Sequence, residues 1–341
     1  MKGKKDTLAL WLHRTGLLKL FDSVQSNQLI VINYHRIQSD NQKKITLFDD
    51  GVFGPTESEL EQQFHWFKYN MDVLSEDDLL HIFNGGMVPP GRSLLITFDD
   101  GYIDNYTLAY PLLRKNNFPA IFFIPTQSIN ERTLGWWDYI AYMLKMSQQE
   151  TIIFEGQKLF LRSETNKTIH YILNYIHCNK VDVDELLVDL SLVCDVKFPS
   201  IEIQDKELMT WENLQEVSKH GISVGSHTNS HNILSYLNKE KQAEELVLSK
   251  YLIEKKLGTK VQSMSYPVGT YSTFTAVTKR LAAECGYDMA FSFLTGINSW
   301  EKMDMMDMKR ISVPNYFPRF VCTMRMPAFF NDSGVHCKHY R

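Results

Sequence analysis

The sequence predicts an α/β fold built on a parallel sheet. Seven short, mostly apolar runs recur along the 341 residues, and helical patterns separate most of them. Five of these runs have a polar or turn-forming residue at or just past their C-terminal end, which is where β/α barrels place their active sites. The count of seven fits a β/α barrel, and a doubly wound open sheet is the alternative.

The predicted strands are short and are bounded by glycine, proline or polar residues. They lie at residues 29–34, 94–97, 120–124, 222–226, 261–266, 287–293 and 310–313. The residues that mark the five strand ends are His35, the pair Asp99 and Asp100, Pro125, His227, and the pair Tyr266 and Pro267.

The helices between the strands are predicted from their caps and from apolar residues at helical spacing. Ser58 and Glu61 have the spacing of a capping box, and a shorter helix starts from Ser75. Thr210 is a predicted N-cap, and Gly258 is predicted to end the longest helix. Further helices are predicted at residues 106–116, 211–220, 239–257 and 274–285.

Two segments depart from this alternation. Residues 135–209 are charge-rich and mostly helical in pattern, and we predict that they form an insertion on the rim of the domain. Residues 1–28 are predicted to form an N-terminal amphipathic helix, ahead of one domain over 29–341. The apolar residues that share one face of that helix are Leu8, Trp11, Leu12, Leu18 and Phe21. This helix either packs on the domain or anchors it at a membrane surface.

Composition argues against several classes of partner. With 36 Lys and Arg against 40 Asp and Glu, the net charge is −4, which favours neither nucleic acid nor polyanions. The five cysteines are scattered and indicate reduced thiols in a cytosolic protein. No apolar run is long enough to span a bilayer, and no signal-peptide cleavage site follows the basic start. We therefore expect a cytoplasmic protein, with peripheral contact at the inner membrane as the alternative.

The second predicted strand ends in two adjacent carboxylates, Asp99 and Asp100, followed by Gly101. Two neighbouring carboxylates are costly to hold ionised unless a cation or a shared proton relieves their repulsion. Taken alone, a polar turn after a core strand explains them equally well.

His227 and His231 follow the fourth predicted strand, four residues apart. This spacing is predicted to place both imidazoles on one side of a helical turn, a common way to supply two nitrogen ligands to one metal. Together with the Asp-Asp pair they form a two-histidine, one-carboxylate set with open positions. Such a set suits zinc or another divalent transition metal in a hydrolase.

Residues 97–101, 226–231 and 265–271 resemble, in order and rough separation, the first three motifs of the polysaccharide deacetylases, the NodB homology family. The resemblance runs from about residue 30 to about residue 313 and weakens over 135–209. It is strongest to a branch with a Tyr-His-Arg element, here 34–36, and a Tyr-Pro-x-Gly third motif, here 266–269. The family implies a distorted seven-stranded β/α barrel. It also implies hydrolytic removal of N-acetyl groups from polysaccharides or oligosaccharides, usually at N-acetylglucosamine units, in cell-surface or exopolysaccharide biosynthesis.

The resemblance also implies roles for individual residues. Asp100, His227 and His231 would hold a divalent metal, zinc first, with cobalt, nickel or iron as alternatives. Asp99 would be the general base, and the backbone N–H of Val268 would stabilise the oxyanion.

The chain departs from the family pattern at two places. Ser265 stands where many members carry an arginine that pairs with the base, and Arg310 is predicted to supply that cation; an exposed surface arginine is the alternative. The C-terminal Leu-x-His motif is not recognisable, because His336 and His339 lie in a polar tail. His35 is therefore predicted to protonate the leaving amine, with a structural hydrogen-bonding role as the alternative.

Five residues are predicted to contact the glycan. Tyr266, Pro267 and Val268 belong to the third motif, and Trp136 and Trp137 resemble a Trp-Trp-Asp element of some family members that would line a sugar-binding groove. Packing in the core is the alternative for the two tryptophans. Two other functions stay open: a barrel that binds a glycan without cleaving it, and a metal hydrolase acting on O-acetyl esters.

Overall fold

Seven parallel strands close into a barrel at the centre of the computed structural model, which describes residues 4–18, 28–40 and 46–330. The described strands are β1 (Gln28–Tyr34), β2 (Arg36–Gln38), β3 (Phe53–Thr56), β4 (Asp72–Val73), β5 (Ser93–Phe98), β6 (Ala120–Ile124), β7 (Thr151–Phe154), β8 (Gln157–Phe160), β9 (Ile222–Ser226), β10 (Ser263–Ser265), β11 (Met289–Thr295), β12 (Asn298–Ser299) and β13 (Met308–Ser312). The described helices are α1 (Lys4–Thr15), α2 (Glu57–Asn70), α3 (Glu76–Phe83), α4 (Tyr110–Asn116), α5 (Thr126–Glu131), α6 (Trp136–Met146), α7 (Thr165–Cys178), α8 (Val183–Cys194), α9 (Ile201–Asp205), α10 (Trp211–Ser218), α11 (Lys239–Leu257), α12 (Ala276–Glu284), α13 (Phe317–Arg325) and α14 (Pro327–Phe330).

The barrel order is β1-β5-β6-β9-β10-β11-β13, and β13 pairs back onto β1. All seven pairings are parallel, and a register shift between Phe291 and Thr295 distorts the pairing of β11 with β13. The predicted distorted seven-stranded barrel is confirmed, and the open-sheet alternative is wrong because the two edges meet. The seven strands lie within two residues of their predicted bounds.

Helix caps agree with the prediction at three positions and differ at one. Ser75 and Thr210 are N-caps, and Gly258 ends α11 in the left-handed conformation. The capping box of α2 is formed by Thr56 and Glu59, so the prediction of Ser58 and Glu61 is wrong. The extended backbone at Thr56 lets its hydroxyl accept from the N–H of Glu59, a geometry that Ser58, inside the helix, does not have.

The segment over 135–209 contains α6 to α9 and a hairpin of β7 and β8, which its mostly helical sequence pattern did not predict. Helices α6, α7 and α8 share a hydrophobic cluster that also includes Ile233 and touches Val268. These two residues follow β9 and β10, so the segment packs on the loops at the C-terminal end of the barrel.

Helix α1 packs against α13, with Ala9 buried between them and Trp11 55% exposed. Helix α1 ends at Thr15, before Gly16 with its left-handed backbone, so the prediction that Leu18 shares the apolar face of the helix is wrong. Phe21, predicted on the same face, is outside the described residues. Among the helices that the structure describes, none is both long enough and apolar enough to span a bilayer. Cys194, Cys285 and Cys322 are free thiols, but Cys178 is in a disulfide, so the prediction of reduced thiols is wrong for that residue.

Candidate metal centre

The loop after β5 carries the two adjacent carboxylates. The N–H of Asp99 donates to the carbonyl oxygen of Tyr34 at 3.0 Å, which ties this loop to the end of β1. Asp100 and Gly101 then both adopt the left-handed conformation, with φ of 73° and 70°. Aspartate tolerates this region better than most residues, and glycine enters it freely. With this turn, Asp100 lies beside His227 and His231, and Asp99 pairs with Arg310.

The loop after β9 carries the two histidines, and it is not the helical turn that their spacing predicted. Thr228 and His231 have left-handed backbones, with φ of 64° and 58°, and the N–H of His231 donates to the Thr228 hydroxyl at 3.2 Å. Glu245, on α11, accepts from the N–H groups of Asn229 and Ser230 at 2.9 and 2.8 Å. No local sequence pattern distinguishes Glu245 from the other charged residues of that helix, so its contact with the histidine loop is evident only in the structure.

Asp100, His227 and His231 converge in the buried mouth of the barrel. The two Nε2 atoms are 3.2 Å apart and lie 3.5 and 3.6 Å from Oδ1 of Asp100. Among the described residues, these three have ligand atoms within 4.8 Å of one another, close enough to hold one metal ion. Two imidazole nitrogens and one carboxylate oxygen are a donor set that a divalent transition metal accepts.

The electrostatics of the cluster also fit a cation. Burial lowers the pKa of His227, with Asp99 partly opposing, and burial and the neighbouring His227 lower the pKa of His231 well below its usual range. Both rings are therefore neutral at pH 7, which is the form that binds metals. Burial, followed by the charge of Asp99, raises the pKa of Asp100 well above its usual range. A bound cation would reverse this effect on Asp100.

His227 is held in the tautomer that a metal ligand needs. Its Nδ1 donates to the carbonyl oxygen of Ser265 at 2.8 Å, which leaves the lone pair of Nε2 directed at Asp100 and His231.

Asp99 lies beside the cluster, with its Oδ2 3.7 Å from Nε2 of His227, and it also contacts polar groups outside the cluster. Arg310, 1% exposed, donates to both of its carboxylate oxygens, so it is not the exposed arginine of the alternative interpretation. Asn33 and Ser265 donate to Oδ2 at 3.2 and 3.4 Å. Burial alone would raise the pKa of Asp99, but Arg310, helped by His227, holds it well below its usual range. Asp99 is therefore an ionised carboxylate beside the metal cluster.

His35 lies at the same rim, half-buried, with its ring edge-on to Phe293 at 5.6 Å. Burial lowers its pKa to about 4, and the charge of Asp99 partly opposes this shift. The imidazole is neutral at pH 7, so an acid role requires that it first gains a proton. The structure places His35 near the other site residues, and its role stays a prediction.

The turn at 266–269 is backbone-strained and packed. Val268 and Gly269 have φ of 60° and 64°, and a β-branched residue rarely adopts this region. A Cβ on Gly269 would lie 2.4 Å from the backbone nitrogen of Phe293, so only glycine fits. Tyr266 is buried, stacks on Phe274 and donates to the backbone carbonyl of Met306, and its contact with a glycan stays a prediction, as does that of Pro267 and Val268.

Trp136 and Trp137 are buried, with 8% and 7% of their surface exposed. Trp137 packs on His231, its ring centroid 4.3 Å from that of the imidazole, and Trp136 packs edge-on to Trp137. Little indole surface is therefore accessible to a sugar ring, and their contact with a glycan stays a prediction.

Comparison with known proteins gives consistent findings. The family model described as Polysaccharide deacetylase matches residues 87–290. The chain is 23% identical over 273 residues to "Putative polysaccharide deacetylase YxkH" of Bacillus subtilis, covering 80% of this chain and 67% of that protein. It is 30% identical over 124 residues to a poly-β-1,6-N-acetyl-D-glucosamine N-deacetylase of Staphylococcus aureus, but this covers 34% of this chain and 42% of that protein.

Two solved structures share the fold. The Streptococcus pyogenes deacetylase PplD in complex with acetate superposes with a TM-score of 0.58 and 17% identity, covering 88% of this chain and 99% of PplD. IcaB from Ammonifex degensii superposes with a TM-score of 0.54 and 18% identity, covering 88% of this chain and 98% of IcaB.

Proposed function

This chain belongs to the polysaccharide deacetylase family, and on that premise we propose that it is a metal-dependent hydrolase that removes N-acetyl groups from a polysaccharide or oligosaccharide. The observation that carries the proposal is the buried Asp100, His227 and His231 cluster beside the Asp99–Arg310 ion pair. N-acetylglucosamine units are the proposed target, supported by the activity for which the Staphylococcus aureus relative is named. The proposed setting is cell-surface or exopolysaccharide biosynthesis.

Asp100, His227 and His231 are the proposed metal ligands, and zinc is the proposed metal because it favours nitrogen and carboxylate donors with an open position. Cobalt, nickel and iron accept the same donors. When bound, such a metal supplies Lewis acidity toward an amide carbonyl and acidifies water near neutral pH.

Asp99 is the proposed general base, which accepts a proton from the attacking water. Arg310 keeps its carboxylate ionised and fixes its plane, while Asn33 and Ser265 bond its Oδ2. The same ion pair makes Asp99 a weak base, so the water that it deprotonates must be acidified.

Two further groups complete the proposed mechanism. The backbone N–H of Val268, in the strained turn that Gly269 permits, would stabilise the oxyanion of the tetrahedral intermediate. His35 would give a proton to the leaving nitrogen, because an amide anion is too basic to depart without one. Residues 34–36 and 266–269 are also the elements that support assignment to the branch with Tyr-His-Arg and Tyr-Pro-x-Gly motifs.

Helix α1 supports a proposal on location. It carries Lys4, Lys5 and Arg14 together with the exposed apolar side chains of Leu8 and Trp11. Basic and apolar groups together favour the surface of an anionic membrane. We propose that the protein contacts the surface of an anionic membrane peripherally through α1.

The decisive experiment is mass spectrometry of N-acetylglucosamine oligomers incubated with the zinc- or cobalt-loaded protein. Loss of acetyl groups is expected, and O-acetylated oligomers in a parallel reaction test the ester-hydrolase alternative. Asp99→Asn is the matched variant: it should keep its metal and bind the oligomer while the rate drops on the order of 10²-fold or more. A wild-type protein that binds the oligomers and releases no acetate would support the non-catalytic glycan-binding alternative and contradict the proposal.

A further inference from the structure

The two histidines of the cluster are held differently. A metal-binding histidine usually donates its other ring N–H to a carbonyl or a carboxylate, which fixes the orientation of the ring. His227 does so through Nδ1 to Ser265. Nδ1 of His231 is buried and has no hydrogen-bond partner among the residues that the structure describes. Another contact must therefore orient the His231 ring.

Trp137 provides that contact. Its ring centroid is 4.3 Å from that of His231, at an interplanar angle of 54°, while His227 packs edge-on against the same imidazole at 4.5 Å. The His231 ring is therefore confined by two aromatic neighbours. Rotation of the ring that moves Nε2 away from Asp100 would collide with one of them.

Trp137 is itself locked by a directed hydrogen-bond chain. Its Nε1 donates to the hydroxyl of Tyr102 at 2.7 Å, and that hydroxyl donates to Oδ2 of Asp138 at 2.7 Å. An indole can only donate, so the Tyr102 oxygen accepts and its single proton goes to Asp138. All three side chains are buried, which makes each of these bonds costly to break.

These hydrogen bonds connect the insertion over 135–209 to the loop after β5, which carries Asp100. Tyr102 lies two residues after Asp100, and the guanidinium of Arg36 stacks 4.5 Å from the centre of its ring. Its backbone pairs with Leu208, and the N–H of Met209 donates to the carbonyl oxygen of Gly101 at 2.9 Å. Both ends of the insertion, at 137–138 and 208–209, therefore meet beside the aspartates.

We propose that Trp137, Tyr102 and Asp138 are positioning residues that hold His231 in the orientation required of a metal ligand, in place of a hydrogen bond to Nδ1. The inference rests on the proposed metal site and deepens it. It assigns the insertion a function in metal binding. It also accounts for the burial of Trp137, which a sugar-binding role does not require.

The test uses the full-length metal-free protein titrated with Co²⁺ alone, with the dissociation constant and the visible ligand-field spectrum as readouts. Tyr102→Phe removes the shared hydroxyl and keeps the ring on Arg36, and Trp137→Phe removes the indole N–H and part of the ring. Tyr139→Phe is the matched control, since it removes a tyrosine hydroxyl that bonds Gln204 within the insertion, away from the cluster. Thermal unfolding identifies the variants that are folded.

We expect Tyr102→Phe and Trp137→Phe to bind Co²⁺ about 10-fold more weakly with an altered spectrum, and Tyr139→Phe to match the wild type. The variant that carries both changes should bind Co²⁺ no more weakly than whichever single variant binds it more weakly. Both changes break the same hydrogen bond, from Trp137 to Tyr102, so their effects should not add. Wild-type affinity and spectrum in the folded single variants would overturn the positioning role. A wild-type protein that binds no Co²⁺ would overturn the metal site itself, and the inference with it.

Discussion

Arg310 donates two parallel hydrogen bonds to Asp99, with Nη1 at 2.8 Å from Oδ1 and Nη2 at 2.9 Å from Oδ2. Nη2 also donates to the hydroxyl of Ser265 at 2.8 Å, the residue that stands where many family members carry an arginine. The cation therefore reaches Asp99 from β13, and not from the position of Ser265 in β10. A bidentate pair of this kind fixes both the charge and the plane of the carboxylate.

Removing this cation should change the pH dependence of hydrolysis. Asp99 acts in its ionised form, so activity is present above its pKa and is lost as the pH falls through it. Arg310 lowers that pKa, and Arg310→Gln should therefore move the acid limb of kcat/KM to higher pH by about 1–3 pH units. Arg114→Gln, an exposed change on α4, should leave the profile unchanged. An unshifted acid limb in Arg310→Gln would contradict the assignment of Asp99 as the base.

Loss of a metal ligand should remove the ion and the activity together. Asp100→Ala, His227→Ala and His231→Ala each delete one of three donors, and the remaining two hold a divalent ion weakly. Elemental analysis after gel filtration should find the wild type loaded and these variants depleted. The control is His220→Ala, because His220 is exposed and outside the cluster. Equal metal content in wild type and His227→Ala would show the ligand set to be wrong.

His35 is expected to matter for amides more than for activated esters. His35→Ala should keep its metal and lose amide hydrolysis by about 10²-fold, while p-nitrophenyl acetate, whose leaving group needs no proton, suffers less. An acid works in its protonated form and burial lowers the pKa of His35 to about 4. The ratio of amide to ester hydrolysis should therefore fall as the pH rises in the wild type and stay constant in the variant. Equal losses on both substrates would exclude the acid role.

Low pH should destabilise the insertion, because the buried His177 takes up a proton more readily in the unfolded chain than in the folded one. Burial lowers the pKa of this histidine from 6.5 to about 4 in the folded protein. Between those values the unfolded chain binds a proton that the folded chain does not, so the free energy of unfolding falls as the pH falls. His177→Gln should reduce this loss between pH 7 and 4.5 by on the order of 1 kcal/mol in urea titrations. The exposed His220→Gln is the control, and an unchanged pH dependence in His177→Gln would refute the prediction.

The exposed apolar residues of α1 should support binding to anionic membranes. The full-length chain is expected to sediment with vesicles that contain phosphatidylglycerol, more weakly at high salt because part of the attraction is electrostatic. Trp11→Ser should reduce sedimentation, since that side chain is 55% exposed. Tyr69→Ser, an exposed aromatic on α2, is the control. A full-length protein that stays in the supernatant would assign α1 a purely structural role.

The sequence by itself determined the seven barrel strands and the residues that follow them. Strands buried in a parallel barrel appear as continuous apolar runs, and the polar residues at their C-terminal ends break those runs. Both signals are local, which is why each barrel strand lies within two residues of its predicted bounds. The Asp-Asp and His-x-x-x-His motifs are local for the same reason, and they identified the residues of the cluster.

Only the tertiary structure decided how these parts meet. Pairing of β13 and β5 with β1 closes the barrel, and Asp99 and Arg310 are 211 residues apart in the chain. No local pattern encodes such partners, because they depend on the packing of the whole sheet. The left-handed backbones of Asp100 and His231 and the burial of Trp137 against His231 have the same origin. These conformations are locally unfavourable, and the surrounding packing stabilises them.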